Sequence, residues 1–369
     1  MTTDHVLAQL RRGMHGLVPC ELDVPFEVQC GQLPGPFSGS GEGAGETRQA
    51  QVAQHVFGGV ESQVRAAVAR WGPGRVGAVL GTSTGGIART EQAFISWHAT
   101  SELDADYSLG VHSFHDTGRL LRRRGGWAGP TYFVSTACSS STKVFAAARR
   151  LIRAGLCDAV LVGGIDSLSL TTVRGFHSLA AASDGLCRPF CAERDGMNVG
   201  EGAALLLLER DTPAPVELLG VGESCDAFHM SAPEPSGKGA ELAMRLALKD
   251  AGLAADAVAF VNAHGTGTAR NDSAEAAALE RVFGRETPVL STKSYTGHML
   301  GAAGATEALF TVAALEQGWL PSNLRLKPQD PDISLRLPTE PLEGSFRFAM
   351  SNSLAFGGNN ASVVFGRAQ

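Results

Sequence analysis

Two distant segments of this chain read as one unit written twice. Tyr132-Phe133-Val134 runs into Ser135-Thr136 and Cys138, then into an alanine-rich stretch through Leu151 that stops at Gly155. Val289-Leu290 runs into Ser291-Thr292 and His298, then into a small-residue stretch through Leu315 that stops at Gly318. Each predicts a buried strand, a reactive turn, a helix and a glycine stop, as a duplicated α/β unit would. Strand-turn-helix is a common arrangement, so the echo gains its weight from the segments around it.

Those segments alternate in the same way. Val76 to Leu80 reads as a buried strand entering the Gly-Thr-Ser-Thr-Gly-Gly turn at Gly81 to Gly86. Short apolar runs at Ala159 to Val162, Ala203 to Leu208, Ala257 to Val261 and Ala361 to Phe365 read likewise. Helical spacing marks His5 to Arg12, Arg48 to Trp71 and Gly239 to Gly252. Alternating strands and helices predict α/β layers, and 369 residues can build one broad duplicated unit or two compact domains. Pro213, Pro215, Pro233 and Pro235 mark the join, which divides the chain into halves at 1–210 and 211–369. The run from Gly39 to Gly45 lacks a preceding strand and dinucleotide spacing, so it reads as a flexible loop.

Composition removes several functional classes. A net charge of -6 gives no basic field for nucleic acid. The basic clusters Arg119 with Arg122 to Arg124, and Arg149, Arg150 and Arg153, fit a solvated helix face or a docking surface for an acidic partner. Seven cysteines, an odd number without dense spacing, predict a reducing cytoplasm. Cys187 and Cys191 have no second ligand pair nearby, which argues against zinc. No stretch approaches the roughly 20 apolar residues that would span a bilayer.

Cys138 comes after a strand and before a helix. There the helix dipole and unpaired N–H groups would favour the thiolate, activating a nucleophile without an adjacent base. His264 follows a strand in Asn-Ala-His-Gly-Thr-Gly-Thr, and His298 closes Lys-Ser-Tyr-Thr-Gly-His. A lone histidine in such a turn is ordinarily structural. Two of them in glycine-lined turns, with a positioned cysteine, point to thioester chemistry.

These segments resemble the motifs of the β-ketoacyl-acyl-carrier-protein synthases, condensing enzymes of fatty-acid and polyketide assembly. The nucleophile motif is matched by Ser135 to Cys138 and the following serines, and the histidine motifs by Asn262 to Thr268 and Lys293 to His298. Asn352-Ser-Leu-Ala-Phe356-Gly-Gly-Asn-Asn360 matches the closing glycine loop. The resemblance runs from about the first helix to the C-terminus. It implies the thiolase-like fold, a duplicated five-layered α-β-α-β-α arrangement. Family members begin with a strand before the first helix; this chain starts almost at that helix, so the resemblance implies that a central strand is missing or replaced.

The resemblance also implies a mechanism. Cys138 takes an acyl group from a carrier thioester, and a malonyl thioester loses carbon dioxide and attacks it. His264 and His298 hydrogen-bond the malonyl thioester oxygen. The N–H groups of Cys138 and Phe356 form the oxyanion hole, and Phe356 gates the second substrate. Lys293, with Glu307, orders the site; Thr266 and Thr268 bind the phosphopantetheine arm. Thr84, which matches the family region that limits acyl-chain depth through the dimer interface, is expected to shape the acyl channel with Met197 and Leu354; Met197, Leu354, Ser135 and Ala355 depart from common family residues. No metal or resident cofactor is implied, since carrier proteins deliver the substrates. The partners implied are acyl carrier protein and a second subunit, either an identical chain or a ketosynthase-like one. Motif details are similar to the aryl-polyene subgroup. The alternatives are a noncatalytic chain-length partner of an active synthase, a Cys-His hydrolase, and a thiolase, which normally needs a second active-site cysteine.

Overall fold

Residues 2–35, 37 and 47–368 are described by a computed structural model of the chain. The run Gly39 to Gly45 lies outside the described residues. The helix α1 (Thr3–Arg11) opens on Thr2, whose hydroxyl accepts from the His5 N–H. Its Leu7 and Leu10 bury against Tyr295, Phe310 and Trp319. A small hairpin follows, β1 (Leu17–Pro19) against β2 (Gln29–Gly31). The helical spacing from Arg48 to Trp71 resolves into two helices, α2 (Arg48–Phe57) and α3 (Glu61–Trp71). Gly58 and Gly59 fall between them, where poor helix propensity lets the chain turn.

The first sheet starts with β3 (Val76–Gly81), buried along its whole length. After α4 (Ile87–Thr100) and α5 (Phe114–Gly125), β4 (Thr131–Val134) pairs parallel to β3. The helix α6 (Ser140–Arg153) leads to β5 (Ala159–Asp166), parallel to β3 on its other side. Next, α7 (Leu170–Ser178) precedes β6 (Gly202–Glu209), antiparallel to β5. The order is β4-β3-β5-β6.

The second half repeats this plan. Its elements are β7 (Val216–Cys225), α8 (Lys238–Ala251), β8 (Phe260–Asn262), α9 (Ala269–Phe283), β9 (Val289–Leu290) and the short α10 (Lys293–Thr296). They continue with α11 (Ala303–Gln317), the paired β10 (Trp319–Leu320) and β11 (Leu342–Glu343), then β12 (Phe348–Leu354) and β13 (Asn359–Arg367). The sheet order is β7-β13-β12-β8-β9. The strand expected from Ala257 starts only at Phe260, because Ala255–Ala257 form a 3-10 turn.

Strands β4, β3, β5 and β6 correspond to β9, β8, β12 and β13 in order and direction. Between the sheets lie α6 and α11, whose Val144, Phe145, Ala308 and Leu315 share one core with strands from both. The outer face of the first sheet is covered by α2, α3 and α5, and that of the second by α8 and α9. Five layers result, with the reactive turns at the ends of the two central helices. One difference breaks the symmetry: among the described residues β7 has no counterpart. The expected gap at the centre is not found, since β3 and β5 form a complete buried centre; the place that no described strand fills is the edge beside β6.

Candidate active site

Cys138 lies in the turn between β4 and α6, directly after Ala137, whose φ is 50°. An L residue in this left-handed region is strained and needs surrounding bonds to hold it. The Thr136 N–H donates to Ser140 Oγ at 2.9 Å, and that hydroxyl donates to the Ala137 carbonyl at 2.5 Å. Burial pushes the Cys138 thiol up to about 11, against the charge of Lys293 and the N–H of Phe356. The expectation of a resting thiolate is corrected here: desolvation outweighs what the helix terminus supplies, and the free site holds a thiol.

His298 closes the loop after α10. Its N–H donates to the Asn198 carbonyl at 2.7 Å, and its own carbonyl accepts from the Gly200 N–H at 2.9 Å. The second half is thereby tied to the first at the reactive turn. His264 follows β8, and the N–H groups of His264 and Gly265 donate to the two carboxylate oxygens of Glu275 at 2.7 and 2.8 Å. The rings of His264 and His298 meet edge to face with centroids 5.2 Å apart. The Cys138 sulfur and a nitrogen from each ring all lie within 4.8 Å of one another.

Burial, reinforced by the charge on Lys293, holds both imidazoles well below the usual histidine range, so both are neutral near pH 7. Nδ1 and Nε2 of His298, and Nδ1 of His264, are buried without a hydrogen-bond partner among the described residues. Such groups are costly unless a ligand satisfies them. Lys293 Nζ donates to the His264 carbonyl at 2.5 Å and to Glu307. Burial pushes Glu307 up to about 7, opposed by Lys293. The pair grips the backbone that carries His264 and does not itself line the cavity.

The cluster opens into a cavity of about 370 Å³ that Thr266, Thr268, Met197, Leu354 and Phe356 also line. The two threonine hydroxyls are 3.0 Å apart, and the Phe356 ring centroid is 5.6 Å from that of Phe176. Thr84 is not among the residues that line this cavity; its hydroxyl and N–H donate to Asp166 Oδ1 at 2.7 and 3.0 Å.

Sequence reasoning missed the groups that hold the turns. Asp272 accepts from the Phe190 N–H at 2.8 Å and the Gly267 N–H at 3.2 Å, and Glu275 holds the His264 loop. Two acids three residues apart in an alanine-rich helix after the Gly-Thr-Gly-Thr turn are a usable signal, since buried carboxylates need donors. Asp166 does the same for Thr82, Ser83 and Thr84. Phe176, Leu179, Ala180 and Ala181 line the cavity from a stretch without clear periodicity.

Comparison with known proteins agrees with this geometry. The model of the beta-ketoacyl synthase N-terminal domain matches residues 67–214, and that of the C-terminal domain matches residues 216–327. Nodulation protein E of Rhizobium meliloti is 38% identical over 304 residues, which are 79% of this chain and 75% of that protein. A chain from the complex of the ketosynthase ApeO with its chain length factor ApeC, from Xenorhabdus doucetiae, superposes with a TM-score of 0.92 at 37% identity, covering 99% of this chain and 94% of that one. A beta-ketoacyl synthase from Burkholderia phymatum gives a TM-score of 0.85 at 31% identity, covering 99% and 95%.

Proposed function

The chain belongs to the β-ketoacyl synthase family of condensing acyltransferases, and on that premise we propose that Cys138 carries the acyl group while His264 and His298 stabilise the attacking enolate. One observation carries the reading: a buried thiol and two neutral imidazoles with unsatisfied nitrogens converge within 4.8 Å in a single cavity.

In the first half-reaction the Cys138 sulfur attacks the carrier thioester, and the thiol proton ends on the departing carrier thiol. The N–H groups of Cys138 and Phe356 receive the oxyanion, and the N–H of Phe356 already favours negative charge on the sulfur. In the second, the malonyl thioester oxygen lies between the two rings, each neutral imidazole donating one N–H. As carbon dioxide leaves, negative charge grows on that oxygen and both hydrogen bonds strengthen in a site with little water. The enolate carbon then attacks the acyl carbonyl and Cys138 is freed. Two donors without an adjacent charged base fit carbanion formation better than hydrolysis, which needs one base beside the thiol.

Thr266 and Thr268 bind the phosphopantetheine arm through their paired hydroxyls. Phe356, packed on Phe176, gates the entry of the second substrate. Met197 and Leu354 set the shape of the acyl channel. Lys293 and Glu307 act through the His264 backbone. The enzyme needs no cofactor of its own and acts in the cytoplasm, with acyl carrier protein as donor and an identical or ketosynthase-like chain as second subunit. Seven free cysteines support that compartment, and among the described residues no helix is long and apolar enough to cross a membrane.

The test is incubation with acyl-carrier and malonyl-carrier protein, with products identified by mass. A 3-oxoacyl carrier product is expected; free acid as the main product would overturn the reading. Competition between saturated and polyenoyl carrier thioesters then reads chain preference, and a clear preference for long saturated primers would remove the aryl-polyene assignment.

A further inference from the structure

Two adjacent residues of α6 reach the two ends of one loop. That loop, 355–358, joins β12 to β13 and carries Phe356. On its entry side Thr142 Oγ1 lies 2.7 Å from Ser353 Oγ, and both residues are buried. On its exit side the half-buried Lys143 donates from Nζ to Asn359 Oδ1 at 2.8 Å. The same turn of α6 is bonded to the nucleophile's turn: the N–H groups of Thr142 and Lys143 donate to the Ser139 carbonyl at 3.2 and 3.0 Å, and Ser139 directly follows Cys138. In this position the Phe356 N–H favours negative charge on the Cys138 sulfur, so the loop is set for acyl transfer.

The two anchors differ in kind. The hydroxyl pair is short-armed and dry, so parting it would leave buried groups unsatisfied. The lysine is a charge on a flexible four-carbon stem that meets a neutral oxygen nearer to solvent, where water replaces the bond at little cost. The swivel lies on the lysine side of Phe356, where Gly357 and Gly358 have φ of 81° and 73°. The nearest atom to a methyl placed on Gly357 is Asn359 Nδ2 at 3.7 Å, so the crown of the loop has room to turn. From outside, irregular chain after β7 also holds the loop: the Gly357 N–H donates to the Met230 carbonyl at 2.7 Å, and the Asp226 N–H donates to the Gly358 carbonyl at 2.8 Å. By contrast α6 is packed between both sheets and serves as the fixed reference.

We propose that Lys143 is a positioning residue for the condensation: its bond to Asn359 latches the loop to the nucleophile's own helix, with Thr142 and Ser353 as the fixed hinge. Latched, the loop keeps the Phe356 N–H at Cys138 for acyl transfer. Released at the lysine end, it turns the Phe356 ring aside and admits the malonyl arm. This inference rests on the roles given above to Phe356.

The experiment compares Lys143→Met, which keeps the stem and removes the donor, with Lys143→Arg and Asn359→Ala, all in the full chain. Amide exchange is followed by mass spectrometry without substrate, and acyl loading of Cys138 and condensation are then timed separately. In Lys143→Met and in Asn359→Ala, exchange at Gly357 and Gly358 should quicken about tenfold, the loss expected of one charge-assisted bond, while exchange at Ser353 stays unchanged. Loading should slow about tenfold with no rise in KM for malonyl-carrier protein. Lys143→Arg should restore most of the loading rate. The double variant should be no worse than either single one, since both break the same bond. Unchanged exchange in Lys143→Met would overturn the proposal. So would faster exchange at Ser353 with loading and malonyl KM worsening together, the mark of general damage. Exchange is read on the free protein, so it decides the latch separately from the reading of function, which fails instead if the wild type makes free acid.

Discussion

Cys138 and His298 occupy equivalent places in the two halves, each in the turn that leads into a central helix, yet burial moves their titrations in opposite directions. The thiol is pushed up to about 11 and the imidazole is pulled well down. Both shifts favour the neutral form, because a dry pocket penalises whichever state is charged. The duplicated scaffold thus supplies a buried turn twice, and residue identity decides what each turn does. One half provides a nucleophile that stays latent until a thioester arrives; the other provides donors that respond to charge formed later.

The largest effect should come from removing the nucleophile. Cys138→Ala is expected to abolish the acyl adduct by intact mass and to lower condensation by roughly a thousandfold or more. An adduct that persists would move the nucleophile elsewhere and end the equivalence. His264→Ala and His298→Ala should each lower condensation by roughly 10²–10³-fold. Acyl loading of Cys138 should survive in both, which separates the two half-reactions. If loading fell as far as condensation, the histidines would serve the nucleophile and the division of labour between the halves would be wrong.

Lys293 sharpens the contrast from the second half alone, where a charged pair sits beneath neutral rings. Breaking a buried ion pair from one side leaves an uncompensated charge, so Lys293→Met should cost about 3–5 kcal/mol of stability in chemical denaturation. Replacing both partners, Lys293→Met with Glu307→Leu, should recover most of that loss while condensation stays low. Recovery of activity along with stability would show that the pair only supports packing and does not position His264.

The reactive turns were legible because thiol, imidazole, glycine and threonine cluster there in fixed order, and the strand-turn-helix echo correctly anticipated the correspondence of the central helices. Other features depend on tertiary context. The break at Gly58 and Gly59 hides inside a continuous apolar period. Thr84 looked free to face a channel, but only the fold reveals that Asp166 claims its hydroxyl. The thiolate expected at Cys138 failed because a helix terminus can be read from sequence, whereas full desolvation requires the other half of the molecule. Likewise the resemblance pointed to the sheet's centre, whereas only the pairing shows that the place no described strand fills is an edge.

The smallest effect is a slope that tests the latent thiol directly. Alkylation by iodoacetamide follows the thiolate, so with a thiol held at about 11 the rate at Cys138 should climb about tenfold per pH unit from 7 to 10 without a plateau. A nucleophile activated by its helix would level off near pH 7 instead. Stability should move in step. The ordinary value for a cysteine is 9.0, so the folded chain holds this proton more tightly than the unfolded one. The associated stabilisation is complete below about pH 9 and lost as pH rises toward 11, about 2–3 kcal/mol over that window. In Cys138→Ala that part of the alkaline decline should vanish from denaturation curves. A matching loss in both proteins would mean that Cys138 is better solvated than its burial implies, leaving the two turns less alike than their backbones.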